Sequence, residues 1–478
     1  MKAKRKGLIS ILLLCAAVFA VTMLAACGGG GGNGPIGVGE HEIDSKWWST
    51  TGEIQKDGED IVFNNVEIKL TTVVAGTDLV KFNTIVNRFN AEYLDKINIV
   101  PSSVTEESYN SQVAKQISNN ANAPDLLMTH QKEFKSLADS KLIQPFNEVI
   151  EKSEIDLDLD NFAAGLSKYS SLNYKDQMFT VPVDMHSEVV IYNKKLLGDN
   201  ALPTNHSELV ALCKKIATEK NITPIAASTH SPSFYRFVFN TAILQNGGTF
   251  FDTSNYNADW ASESNMPAYK AAIASIRELI TENIMKKQQS TGDALSAFLN
   301  DKALFYFVEP WSVESVLNAY SGDKNDISGT SMSKWFAADP SKDCADHIYG
   351  DAHAFGISKT VTDITKKAAI CEFIKWFSEN TSAGIPWANA GHYSASKTLT
   401  VNSSYTAENM VANFLTKFYA DIDDFQTMDI SPYTYQYKSY LEQLYLAMIS
   451  NDTADNDESD IRAYQKKVND EIATINMM

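Results

Sequence analysis

The sequence predicts an α/β fold divided into two domains, and three observations carry that prediction. The chain has 478 residues, 44% of them hydrophobic, more apolar material than one core of ordinary size encloses. From about residue 61 onward, stretches rich in β-branched residues alternate with stretches of helical apolar spacing, the pattern of βαβ units around a largely parallel sheet. The five cysteines, at 15, 27, 213, 344 and 371, include no C-x-x-C pair, so neither a disulfide framework nor a cysteine-rich zinc site stands in for a core.

The first units can be placed in order. VEIKLTTVV (66–74) reads as a strand that runs into Gly76-Thr77-Asp78, after which Leu79, Phe82, Ile85, Val86, Phe89 and Tyr93 recur at helical spacing. INIVPSSVT (97–105) reads as a second strand, ESYNSQVAKQISNN (107–120) as a helix, and PDLLM (124–128) as a short buried third strand. Cys213 in ELVALCKKI and Cys371 in KKAAICEFI fall on apolar helix faces and are expected as packed small hydrophobes, whereas Cys344 in SKDCADH is expected at the surface. The formal net charge of −18, with a pI near 4.9, argues against nucleic acid and against anionic lipid headgroups as partners.

The amino terminus has its own logic. The basic head MKAKRKG precedes the apolar LISILLLCAAVFAVTMLAA, a secretory signal pattern, although the run from Gly7 to Ala26 is also long enough to span a bilayer; either reading exports the rest of the chain. The junction Leu24-Ala25-Ala26-Cys27 resembles the lipobox of bacterial lipoproteins. That resemblance implies removal of residues 1–26 and lipidation at Cys27, whose acyl chains supply firm anchoring. GGGGGNGPIGVG then has almost no side chains to pack and is expected to begin a flexible tether over residues 27–60. Trp47 and Trp48, near its end, either dock it on the domain or lie at the surface.

The middle of the chain carries a wider resemblance. NYKDQMFTVPVDMHSEVVIYNKKLL (173–197), followed by LPTNHSELVALCKKIATEK (202–220), resembles the segment of family 1 extracellular solute-binding proteins in which the chain first crosses between lobes. AILQNGGTFFD (242–252), AFLNDKALFYFVEPW (297–311), GDAHAFGISKT (350–360) and KKAAICEFIKWFSE (366–379) resemble further segments of that family in the same order, so the resemblance spans most of residues 61–450. It implies a two-lobed periplasmic-binding-protein-like fold of the class II type, each lobe a mostly parallel sheet flanked by helices, with a ligand cleft between them. Residues 61–183 plus 350–391 would form one lobe, and 184–349 plus 392–478 the other. The implied role is the monomeric, non-enzymatic substrate-binding component of an ABC importer for carbohydrate, working with permease subunits at the outer face of the cytoplasmic membrane, without cofactor.

Strand ends locate a site independently, because open parallel sheets bind ligands beyond the carboxyl ends of their strands. Those ends present Asp78, His130, Asp184, His186, Phe234, Tyr235, Glu309, Trp311, Asp351 and His353, and Trp387 and Tyr393 lie further on in IPWANAGHYSASK. Carboxylates and imidazoles pair dense hydroxyls, and aromatic rings cover the apolar faces of a sugar. The resemblance implies ligand stacking at Trp311 and a polar ligand contact at His186. Core packing is the alternative for Trp311, hinge hydrogen bonding for Asp184 and His186, and loop structure or plain surface for the rest. Asp125 is expected to cap backbone amides. Tyr433, Tyr435 and Tyr437 would share a face if extended, or pack as a helix start.

The three interlobe crossings are expected at Asp184–Ser187, near Tyr349–Gly350 and near Ala390–Gly391. The eight histidines show no H-E-x-x-H spacing, so no metal is expected. A glycoside hydrolase using Asp184 and Glu309 is the rival reading, yet no nucleophile elbow, G-x-G-x-x-G loop or Walker loop accompanies them. Binding of a metal chelate, polyamine or peptide, or a purely adhesive role, are the remaining alternatives.

Overall fold

A computed structural model describes residues 41–477, apart from residues 121, 408–409, 420 and 430. The signal pattern, Cys27 and the glycine run lie outside the described residues. Among the described residues no helix is long and apolar enough to cross a membrane.

Two separate sheets carry the fold. The strands that matter for the site are β1 (Val66–Thr72), β2 (Ile97–Ser103), β3 (Leu126–His130), β4 (Ile143–Gln144), β5 (Val181–Pro182), β6 (Asp184–Met185), β7 (Val189–Asn193), β8 (Ile225–Ala226), β9 (Phe305–Val308), β10 (Ile327–Thr330), β11 (His353–Ser358) and β12 (Tyr393–Ser394). The first sheet has the order β2-β1-β3-β11-β4, with β5 also paired to β11. The second has the order β8-β9-β7-β10. Helices α1 (Gly76–Glu92), α2 (Tyr109–Ser118), α3 (His206–Lys220), α4 (Met266–Thr281), α5 (Ile364–Glu379), α6 (Thr381–Asn389), α7 (Met410–Phe418), α8 (Thr434–Ser450) and α9 (Asp457–Met477) pack around them.

Local sequence explains these elements. Along β1 the side chains of Ile68 and Leu70 are wholly buried while Glu67 and Lys69 face out, the period-2 alternation of a strand with one wet face. In α1 the residues Phe82, Ile85, Val86 and Phe89 form the buried stripe, and its phenylalanines meet Phe373 and Phe377 of α5 and Trp387 of α6 at steep ring angles. The start of α3 is capped on both sides: Asn205 at the N-cap accepts from the Glu208 N–H, and Glu208 reaches back to accept from the N–H and hydroxyl of Thr204, one residue before the cap. Asp363 caps α5 through the Thr365 N–H. Cys213 and Cys371 are fully buried, and Cys344 is half-buried rather than surface-exposed, its thiol facing the Gln245 carbonyl.

Strand direction departs from the expected mostly parallel sheets. In the first sheet β1 is parallel to β2 and β3, but β11 is antiparallel to β3, β4 and β5. In the second only β8 and β9 are parallel, and β7 is antiparallel to both of its neighbours. The chain passes repeatedly between the sheets: β11 returns to a sheet whose other strands precede it and runs against its neighbours there, while β7 opens the second sheet and the later β9 and β10 run against it. The end of the segment expected as tether is also packed. Trp47 stacks on Phe179 at 6.1 Å and donates its indole N–H to the Ile143 carbonyl, while the His41 N–H bonds the Asn173 carbonyl.

One glycine is fixed by geometry. Gly391, between α6 and β12, has φ of +90°, and a Cβ there would lie 2.2 Å from the Trp311 backbone nitrogen. Both the left-handed conformation and the backbone approach exclude a side chain. Gly391→Ala is therefore expected to lower stability by about 2 kcal/mol or more, read as a reduced urea midpoint; an unchanged midpoint contradicts this packing.

Candidate functional site

The crossing segments lie side by side. β6 pairs antiparallel with β12, Asp184 opposite Ser394 and Met185 opposite Tyr393. The next residue, His186, exchanges both backbone hydrogen bonds with Asp351, at 2.8 and 2.9 Å. Val183 donates its N–H to the His353 carbonyl at 2.8 Å, and the β11–β3 register sets His353 opposite His130. Segments far apart in sequence thereby bring four imidazoles together: the His353 ring lies 4.7 Å from His130, 5.1 Å from His186 and 5.4 Å from His392.

Asp184 is the centre of this cluster and has no solvent exposure. Its Oδ1 accepts from the His353 backbone N–H at 3.0 Å, and its Oδ2 accepts from the Trp387 indole N–H at 2.8 Å. The His353 Nδ1 lies 3.0 Å from both oxygens. Burial by itself would raise the Asp184 pKa, but the imidazoles of His353, His186 and His392 outweigh it and hold the carboxyl well below the usual carboxylate range. Burial likewise opposes a charged His353, and the Asp184 carboxylate wins, raising it above the ordinary imidazole value. A second carboxylate, Asp351, is ion-paired with Lys132. Burial disfavours its charge too, yet Lys132 and His130 hold its pKa well below normal. His130 itself is pushed down to about 3, chiefly by burial.

This cluster adjoins a cavity of about 790 Å³, within the roughly 300–1,000 Å³ typical of ligand pockets. Glu106, Asn110, Thr129, Lys132 and Glu133 line it from the side of the first sheet. Tyr235 and Arg236, on a π-helical stretch at Phe234–Phe239, and Tyr435, Lys438 and Glu442 of α8 line it from the other. Lys132 also binds Asp351, and Glu106 lies 3.5 Å from His130, so the cavity wall is in direct contact with the cluster. Burial, with the like charges of Lys132 and Arg236, lowers the Lys438 pKa to about 7.

The residues singled out from sequence fall into groups. Asp184, His186, His353, Asp351, His130 and Trp387 converge, and half-buried Asp78 joins them through His392, its Oδ2 lying 3.4 Å from the His392 Nε2. Trp311 is 43% exposed, its ring 6.4 Å from that of His186, and is not core. Tyr235 lines the cavity. Glu309 is half-buried beside Glu188, whose carboxyl is pushed well above its usual value by burial and by the Glu309 charge. Phe234 is fully buried against Phe307 and Tyr445, and Tyr393 is buried with its hydroxyl on Thr416; both are packed in the interior. As expected, Asp125 accepts a backbone N–H, that of Lys69.

Sequence reasoning misses Lys132, Arg236, Lys438 and His392. Lys132 and His392 lie within two residues of His130 and Tyr393 and carry that much signal. Lys438 and Arg236 project from helices, which the strand-end rule does not sample. An extended run would put Tyr433, Tyr435 and Tyr437 on one face; α8 instead separates them, leaving Tyr435 77% exposed and Tyr437 buried.

Comparisons with known proteins agree with this architecture. No curated protein sequence matches the chain. Among solved structures, the sugar-binding protein MalE from Xanthomonas citri aligns with a TM-score of 0.69 at 12% identity, covering 86% of this chain and 98% of that one. The cyclic alpha-maltosyl-1,6-maltose binding protein from Arthrobacter globiformis aligns at 0.63 and 16% identity, covering 85% and 98%. An ABC substrate-binding protein from Listeria monocytogenes, in complex with cycloalternan, aligns at 0.60 and 16% identity, covering 86% and 100%. At these identities the likeness is one of fold, the two-lobed α/β arrangement. A family model described as bacterial extracellular solute-binding protein matches residues 76–384, well over half of the chain, and the chain belongs to that family.

Proposed function

We propose that the chain captures a carbohydrate in the cavity between its two sheet-bearing lobes and presents it to the permease of an ABC importer. The observation that carries this reading is the cavity itself: an approximately 790 Å³ space walled from both sides by amide, hydroxyl, carboxylate, ammonium and tyrosine groups. That set pairs hydroxyls and covers sugar faces, whereas a purely apolar ligand would leave most of it unsatisfied. The names of the structural neighbours support the same class, since they are described as binding sugars or are in complex with them.

The lobes correspond to residues 61–183 with 350–391 and to 184–349 with 392–478, and the three crossings around Asp184, Asp351 and Gly391 form the hinge. Contacts from both sides stabilise the closed form, which the permease recognises. The protein works as a monomer outside the cytoplasmic membrane, held by lipid at Cys27. No bond in the ligand is broken. Asp184, one of the two carboxylates a hydrolase would need, is wholly buried and already accepts two N–H groups.

Thermal unfolding with a panel of mono- and oligosaccharides tests the reading. A ligand selective for the native state adds about 2.7 kcal/mol at a hundredfold excess over Kd, and so raises Tm; no shift with any saccharide, alongside a shift with peptides or polyamines, would refute it. Trp311 lies outside the residues that line the cavity, its ring 6.4 Å from that of His186. If it covers the end of the bound saccharide, Trp311→Ala is expected to weaken binding by roughly 1 kcal/mol, the scale of one lost aromatic face, with a smaller effect on Tm of the free protein than a core tryptophan would have. Calorimetric titration of the variant checks this, and equal affinities would remove Trp311 from the site.

Lys438 sets a pH dependence. Its folded pKa of about 7 lies below the ordinary lysine value near 10.4. Below about pH 7 both states are charged and the folded state bears the full burial penalty. Between the two values the unfolded chain holds the extra proton, so this group's contribution makes stability climb with pH. Lys438→Met is expected to stabilise the protein by on the order of 1–3 kcal/mol near pH 6, with the gain fading toward about pH 10. Urea titrations at the two pH values measure it; a gain that does not fall with pH contradicts the assignment.

A further inference from the structure

We propose that Asp184, His186, His353 and His392 form a four-ligand site for a zinc ion that pins the interlobe crossings together. These four side chains are all buried, and one donor atom from each lies within 4.8 Å of the others. Three imidazoles aim Nδ1 at a single carboxylate: the distances to Asp184 oxygens are 3.0 Å from His353, 3.4 Å from His392 and 3.6 Å from His186. A tetrahedral zinc with bonds of about 2.0–2.2 Å has ligand-to-ligand edges of roughly 3.3–3.5 Å. The His392 and His186 distances lie near those edges and beyond the usual hydrogen-bond range, whereas the 3.0 Å from His353 is a hydrogen-bond length that opens slightly to admit an ion.

Hydrogen-bond accounting points the same way. The Nδ1 atoms of His186 and His392 are buried and make no hydrogen bond, although each faces Asp184. His392 presents Nε2 to the Asp78 carboxylate at 3.4 Å. In the tautomer that carries the proton on Nε2 toward Asp78, the His392 Nδ1 presents a lone pair to the Asp184 oxygen, an acceptor facing an acceptor. A cation between them turns that repulsion into two bonds. The Asp78–His392 pair is then the carboxylate partner that orients a zinc-bound imidazole, and the indole N–H of Trp387 on Asp184 plays the matching part for the carboxylate ligand.

Ligand chemistry selects the ion. Three imidazole nitrogens and one carboxylate oxygen in a closed, buried set suit zinc, and are too few and too nitrogen-rich for calcium or magnesium. On binding, the ion takes the place of the His353 Nδ1 proton, which leaves to solvent. The neighbouring triad of His130, His186 and Asp351 also clusters, but Lys132 already neutralises Asp351 there. The ligands come from β6, the residue after β6, the start of β11 and the turn before β12, so one ion ties all three crossings.

Cobalt substitution tests the site directly. Untagged protein stripped with a chelator is expected to take up roughly one equivalent of Co2+ and develop the strong visible bands of a four-coordinate centre, which Zn2+ then bleaches. Zn2+ should also raise Tm of the stripped protein. His392→Gln should weaken Co2+ binding by about 10-fold to 100-fold or more, and the His186→Gln/His392→Gln double variant should abolish the bands, whereas His130→Gln should retain them. Absence of uptake by the wild-type protein, weak bands typical of six-coordinate cobalt, or bands lost in His130→Gln but kept in the double variant would each overturn the proposal. Because the readout is the ion's own spectrum, its failure is separable from any failure of saccharide binding.

Discussion

One buried carboxylate organises this molecule. Asp184 sits where the chain leaves its first sheet, and its two oxygens hold the His353 backbone, the His353 ring and the Trp387 indole in one place. Removing a carboxylate from water costs several kcal/mol, a penalty met only when hydrogen bonds and opposite charge surround it. The surroundings here come from segments far apart in sequence, so the charge can be satisfied only when all the crossings are assembled. Folding of either sheet's neighbourhood is thereby coupled to the alignment of the region that joins them.

That arrangement divides labour between rigidity and recognition. His186, His353 and His392 are buried around Asp184, whereas the adjoining cavity wall keeps charged groups partly exposed. Lys132 links the two, since it lines the cavity and neutralises Asp351. A ligand that displaced or strengthened that ion pair would be felt at the His186–Asp351 backbone pairing, which neighbours Asp184 on one strand and His353 on the other. Cavity and crossing segments are mechanically adjacent, which is what a clamp that senses its own occupancy requires. Lys132, Arg236 and Lys438 offer donors and Glu106, Glu107, Glu133 and Glu442 offer acceptors along the same wall, a mixed set suited to hydroxyls, which both donate and accept.

Much of this is legible in the sequence, for physical reasons that particular residues make plain. The alternation in VEIKLTTVV and the helical stripe from Phe82 to Phe89 report local burial directly, and both elements stand within a few residues of where periodicity puts them. Asp184 and His186 follow the carboxyl end of β5 as the strand-end rule expects, whereas Asp351 and His353 stand at the amino end of β11 and reach the same place because β11 runs antiparallel to β3, setting His353 opposite His130. Strand direction is not legible, since it depends on which side the chain enters a sheet after each crossing, and β-branched patterning is blind to that. Phe234 departs from its expected place because a π-helical turn points it inward, while its neighbour Tyr235 reaches the cavity. The four-imidazole cluster is invisible for a different reason: its members are spread from His130 to His392 without any local spacing, and only the β11–β3 and β6–β12 registers unite them.

The central claim is that two lobes close over a solute held at this junction. Small-angle scattering of the protein, with and without a saturating saccharide identified by its thermal shift, tests that most directly. The account predicts a smaller radius of gyration and a scattering curve of the closed form on saturation. A saccharide that binds at full occupancy while the radius of gyration and the curve stay unchanged would contradict it.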